Sequence, residues 1–157
     1  MDTPAHTAPL VDGLPIVVLD GADPLMRQVA DLCYETLHRP FGVSRSDAWD
    51  EMDPASTHLA VIDAGRLAGY ARLIVEGPWA HLRQVVVAPE HRRRGIATAV
   101  INTAVDTARA RGLEGAYLNA RYAAVPLYER LGFRVVSEGF RMPRTWLPHV
   151  RMEQHLR

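Results

Sequence analysis

The chain reads as an α/β domain of the α+β kind, with a mixed, mostly antiparallel central sheet and helices on both faces. Three observations predict this. Strand-patterned and helix-patterned segments alternate with short connections and no internal repeat. Two apolar runs, 57–62 and 66–75, are separated by Asp63-Ala64-Gly65, a turn signal that predicts an antiparallel hairpin. Residues 95–111 place Ile96, Ala97, Val100, Ile101, Ala104, Val105 and Ala108 on one stripe, an amphipathic helix with Gly112 as its stop.

The remaining elements follow in order. Residues 15–19 form a short β-branched run that predicts a strand, and 24–38 carries Leu25, Val29, Leu32 and Leu37 at close to a helical period. After the hairpin, 81–87 is a further strand. Beyond the long helix, 116–119 is a short strand, 123–131 a helix closed by Gly132, and 133–137 another strand. A loop containing Pro143 leads to a last strand over 146–154. The order is β-α-β-β-β-α-β-α-β-β.

Composition bounds the class of protein. A chain of 157 residues, 48% hydrophobic, suffices for one domain with a proper core and is short for two. One domain over 14–157 is expected, preceded by a loose tail over 1–13 that lacks the charged and apolar regions of a signal peptide. Lys+Arg and Asp+Glu both number 18, so the chain lacks the cationic field of a dedicated nucleic-acid binder. No apolar run approaches the roughly 20 residues that span a bilayer, and the lone cysteine, Cys33, excludes an internal disulfide. A soluble, cytoplasmic protein that binds neither nucleic acid nor membrane is expected. Exposed sheet edges suit a monomer or a homodimer.

One local feature carries chemistry. Val85-Val86-Val87 breaks at Ala88-Pro89 into a basic loop, Arg92-Arg93-Arg94, and a helix begins at Gly95-Ile96-Ala97-Thr98. A helix start presents N–H groups without intrahelical partners and the positive end of its dipole, so this is an anion site that the arginines reinforce. Read as a solvated cap, three arginines are misplaced, because the same dipole disfavours cations there. The glycine and alanine let the backbone approach a phosphate closely. A nucleotide loop of the G-x-x-x-x-G-K-S/T kind is absent.

These residues carry a resemblance. Arg92-Arg93-Arg94-Gly95-Ile96-Ala97 resembles the R-x-x-G-x-G/A acetyl-CoA signature of the GNAT N-acetyltransferase superfamily, and Leu127-Tyr128-Glu129-Arg130-Leu131-Gly132-Phe133 resembles its L-Y-x-x-x-G-F segment. One helix and one strand lie between the two, as in the family. Asp53 with His58-Leu59-Ala60, and the closing Pro148-His149-Val150-Arg151-Met152, are similar to a small single-domain bacterial subgroup. The resemblance implies about seven strands flanked by about four helices, and acetyl-CoA as cosubstrate with no metal.

It also implies roles. Arg92 is the motif arginine, and the backbone of Arg93, Arg94, Gly95, Ile96, Ala97 and Thr98 wraps the coenzyme A pyrophosphate. The backbone of Val85 and Val87 binds the pantetheine arm and the acetyl carbonyl, which makes the Val85 amide an oxyanion donor. Tyr128 is the general acid toward the departing thiolate; a phenol near pKa 10 keeps its proton at neutral pH. Where many members have asparagine seven residues before the tyrosine, this chain has Arg121, with Asn119 on the same strand face; either can contact pantetheine.

The acceptor side is less determined. An alkylammonium near pKa 10 is about one part in a thousand neutral at pH 7, so a general base or a water chain is expected. His81 shares strand parity with Val85 if the strand is regular; Glu51, His58 and His149 are alternatives. Asp47, Asp50, Glu51 and Asp53 place four acids in seven residues. Together with His149 they suit a small, polycationic primary amine such as an aminoglycoside or polyamine, unless the acids simply form a solvated loop. Trp49, Trp79 and Trp146 are candidates to line a cleft. Cys33 has no evident role, so direct transfer without an acyl-enzyme is expected. Two other readings stay open: a protein lysine or N-terminal acetyltransferase, and a non-catalytic acetyl-CoA-binding regulatory module.

Overall fold

The computed structural model describes residues 9–48 and 55–157. Its elements are β1 (Leu10–Val11), β2 (Leu14–Leu19), α1 (Met26–Leu37), β3 (Thr57–Asp63), β4 (Arg66–Glu76), β5 (Trp79–Val87), α2 (Ile96–Ala110), β6 (Gly115–Arg121), α3 (Val125–Arg130), β7 (Arg134–Val135), β8 (Phe140–Arg141) and β9 (Pro148–His155). The sheet runs β1-β2-β3-β4-β5-β6-β9-β7, with β8 also on β9. Every pairing is antiparallel except β5 with β6.

This is the expected mixed sheet, with nine strands among the described residues instead of about seven. The additions, β1 and β8, are two-residue strands. Leu10 and Val11 pair with Pro15 and Leu14, so the loose segment expected up to Gly13 gives way to a strand and turn from Leu10 onward. Among the described residues there are three α-helices against the four expected, and three single-turn 3₁₀ segments, at Arg39–Phe41, Pro89–His91 and Tyr122–Ala124, join them.

The hairpin turn shows how sequence chooses geometry here. Ala64 and Gly65 have φ of 48° and 80°. Positive φ at both central positions is the turn that matches strand twist, and only glycine adopts it without steric cost.

Alternation along the strands divides the core. Leu59, Ala71, Leu73, Ala80 and Leu82 face α2 and α3, packing with Val100, Ile101, Ala104 and Tyr128. Ala60, Leu67, Tyr70 and Val86 face α1, packing with Val29 and Cys33. Gly69 lies under the start of α2, where a Cβ would come within 2.5 Å of Ile96 Cγ2, so a hydrogen at that position lets Ile96 seat on the sheet. No helix among the described residues is long and apolar enough to cross a membrane.

Two irregularities in the sheet make the site. β5 and β6 pair only over Trp79–Gly115, Ala80–Ala116 and His81–Tyr117, and part beyond that point. On its other edge β5 is bulged: Tyr70 pairs Val86 and Arg72 pairs Arg83, so two residues of β5 oppose one of β4. Gln84, inside the bulge, has φ of 55°.

Candidate active site

The gap between β5 and β6 is a cleft of about 380 Å³ whose lining comes from both faces of the sheet. Leu82, Val85, Leu118, Ala120 and Tyr128 contribute from the α2/α3 side, and Thr36, Leu37, His81, Asn119 and Arg121 from the α1 side. A ligand can therefore enter from one face and meet a second ligand entering from the other.

The bulge corrects the expected strand parity. In a regular strand His81 and Val85 share a face. Here Val85 packs with Ala80 and Leu82 against the α2 cluster, while Val86 packs against α1. The extra residue moves His81 and Arg83 to the face of Val86. His81 still lines the cleft, from the α1 side.

Its surroundings are built for a fixed orientation. The imidazole stacks on Tyr117 with centroids 4.2 Å apart, and its Nδ1 lies 3.3 Å from Glu76 Oε1. Tyr117 donates to the other Glu76 oxygen, and Arg151 covers the second face of the phenol at 3.8 Å. The Tyr117 hydrogen bond is the main reason the Glu76 carboxyl sits below the usual carboxylate range. Burial, more than any charge, pulls the His81 pKa down. A neutral imidazole whose Nδ1–H points at Glu76 keeps Nε2 free to accept a proton.

Tyr128, the buried residue of α3, stands edge-on to Phe133 at 5.9 Å. Burial pushes its phenol up to about 12. It lines the cleft, as do Val85, Asn119, Arg121 and His149. The His149 ring is buried and donates from Nδ1 to the Leu147 carbonyl at 2.9 Å.

The anion loop is separate from this cleft. Val87, Arg92, Arg93, Gly95, Ile96, Ala97 and Thr98 line a pocket of about 370 Å³ at the start of α2. Ala99 N–H donates to Gly95 O at 3.0 Å, the first bond of the helix, and no side chain caps its N-terminus. The N–H groups of Ile96, Ala97 and Thr98 thus have no intrahelical partners. Arg93 and Gly95 take φ of 63° and 75° to turn the loop, and a Cβ on Gly95 would meet nothing within 4 Å. Open space beside uncapped N–H groups and two exposed guanidiniums fits a pyrophosphate. Arg94 is directed elsewhere: its Nε is 2.6 Å from Asp12 Oδ2, which ties the loop to the β1–β2 turn. Buried His91, with Nε2 2.8 Å from Asp63 Oδ2, anchors it to β3.

Other expected site residues lie apart. His58 is buried on the α1 face, its Nδ1 2.6 Å from the Tyr70 hydroxyl, and does not line the cleft. Trp79 packs over Gly115 and edge-on to His155; Trp146 is exposed. Cys33 is buried in the α1 core. Trp49, Asp50, Glu51 and Asp53 lie outside the described residues; Asp47 is exposed and lines a neighbouring depression with Arg144. Residues of the cleft wall that strand parity did not find are Gln84, His38 and Arg144. Two successive polar residues, Arg83-Gln84, break the alternation of the strand and are a local signal for the bulge.

An open sheet split at one parallel pair, beside a helix start that presents its amides, is the arrangement that the GNAT resemblance implies for acetyl-CoA. Residues 25–133 match the Acetyltransferase (GNAT) family, and the chain belongs to it. It is 28% identical over 128 residues to the uncharacterized N-acetyltransferase YjcF of Bacillus subtilis, covering 80% of this chain and 91% of that one. An aminoglycoside 6'-N-acetyltransferase complexed with coenzyme A superposes with a TM-score of 0.74 at 21% identity, over 90% of this chain and 97% of the other. An aminoglycoside 6'-acetyltransferase type Ii gives 0.73 at 25% identity, over 90% and 97%. The protein is an acetyl-CoA-dependent N-acetyltransferase.

Proposed function

We propose that the chain moves the acetyl group of acetyl-CoA directly to a primary amine in a ternary complex, with the reaction centred in the gap between β5 and β6. The observation that carries this reading is the two-sided lining of that gap: Val85 and Tyr128 from the α2/α3 side, His81 and Arg121 from the α1 side. The donor enters along the α2 side, its pyrophosphate on the amides of Gly95 to Thr98 and on Arg92. The acceptor enters from the α1 side.

The neutral amine attacks the thioester carbonyl. A C–N bond forms, the carbonyl oxygen takes negative charge beside the Val85 amide, and the C–S bond then breaks with its electron pair leaving on sulfur. The proton released by nitrogen passes to Nε2 of His81, whose other nitrogen is held by Glu76. Tyr128 faces the sulfur. Transfer of its proton from a phenol at about 12 to a thiolate whose acid has a reference value near 8.5 is uphill by about 5 kcal/mol. Tyr128 therefore acts by donating a hydrogen bond to the sulfur as it gains charge, and the thiolate takes its proton from solvent. Cys33, buried in the α1 core, is outside the cleft and favours direct transfer.

Thiol release with a panel of amines tests the activity, and the pH profile tests the base. Because the His81 pKa is lowered, its reactive neutral form is present above a value below 6.5. At saturating acceptor, kcat is expected to fall as pH drops through that value, and His81→Gln is expected to lose this limb along with about 100-fold of the rate at pH 7. An unchanged limb in His81→Gln removes His81 from the mechanism. No turnover with any amine favours an acetyl-CoA-binding regulatory module.

A further inference from the structure

The cationic groups in the cleft lining are Arg83, Arg121 and Arg144; His38, His81 and His149 also line it, with burial lowering the pKa of His81 and His149, and no described aspartate or glutamate does. Arg121 is half-buried at the end of β6, opposite His149 in the ladder, and its guanidinium lies 4.7 Å over the ring of Phe41. That ring holds the planar fork in one orientation. No described carboxylate is within ion-pair distance of Arg121 or Arg144. Arg121, drawn partly out of water without a described carboxylate, carries a desolvation cost that a bound oxyanion offsets, with two parallel N–H···O bonds to set its direction, while Arg144 is exposed and adds charge at the rim. The nearest described acid on that rim, Asp47, is exposed and shares the neighbouring depression with Arg144.

We infer that the acceptor is a primary amine that also carries an anionic oxygen group, a carboxylate or a phosphate, held by Arg121 and Arg144 while the amine reaches the gap. This rests on the acetyl-transfer reading above, and it is an alternative to the polycationic acceptor that the acidic segment over 47–53 suggests, of which Asp47 alone is among the described acids.

Matched acceptors test it: an α-amino acid against its amide, an amino sugar phosphate against the parent amino sugar, and spermidine as the polycation. For one pair, kcat/KM measured by thiol release is expected to be at least about tenfold higher for the anionic member. That ratio is expected to fall to near one in Arg121→Gln/Arg144→Gln, through the acceptor KM. The pair that shows the ratio distinguishes carboxylate from phosphate. Calorimetric binding of the same anionic amines to protein saturated with coenzyme A is measured alongside. Binding that the double variant loses supports the anion seat even if nothing turns over, so failure of acetyl transfer is read separately. Equal turnover within each pair overturns the inference and leaves acetyl transfer standing. A preference for spermidine, no binding of either anionic amine, binding unchanged in the double variant, or a variant effect on the acetyl-CoA KM instead of the acceptor KM also overturns it.

Discussion

Replacing Tyr128 by phenylalanine is expected to lower kcat by about 10- to 100-fold while acetyl-CoA binds as before. The substitution removes one hydroxyl and leaves the ring, which is buried and edge-on to Phe133 at 5.9 Å, so the packing of α3 on the sheet is retained. A hydrogen bond to a charged group contributes about 1.5–3 kcal/mol, which sets that range. A phenol at about 12 cannot give its proton up readily to a thiolate, so the loss stays below the several-thousandfold that complete removal of an essential proton donor can cause. Steady-state thiol release and calorimetric titration with coenzyme A separate the two parameters. A variant with unchanged kcat removes the phenol from the reaction.

The second large effect is expected at Gly95. Its φ of 75° is in the left-handed region, and the space where a side chain would go is open. Valine there combines backbone strain of about 1–3 kcal/mol with a side chain in the pyrophosphate's place. Gly65, in the β3–β4 turn, has φ of 80° and equally open surroundings, but no ligand is expected near it. Gly65→Val and Gly95→Val are therefore expected to lose similar stability in thermal melts, while only Gly95→Val raises the acetyl-CoA KM, by about tenfold or more. Equal KM values in the two variants would show that α2 does not begin at the pyrophosphate.

What was legible in the sequence had short-range causes. The β3–β4 hairpin came from its turn residues, and α2 from seven apolar positions on one stripe. The anion loop was legible because a strand, three arginines, a glycine and a helix start are contiguous, and Tyr128 because it follows that loop at a family spacing. The strands β1 and β8 were not, since each is two residues long and exists only through a partner strand. The face of His81 was misjudged for a related reason. Parity carries a side chain's direction only along a regular ladder, and the extra residue at Gln84 reverses it. The cationic wall was also hidden: Arg121 and Arg144 are 23 residues apart, on a strand and in a later loop, and only the closing of β9 onto β6 brings them to one cleft.

All of these roles depend on donor and acceptor meeting across one split sheet. Initial rates of thiol release, measured while acetyl-CoA and the best amine acceptor are both varied, test this most directly. Intersecting reciprocal plots are expected, because both ligands must occupy the gap before sulfur leaves. Parallel plots, with thiol released from acetyl-CoA alone in a stoichiometric burst, would mean a covalent acetyl-enzyme and would contradict direct transfer.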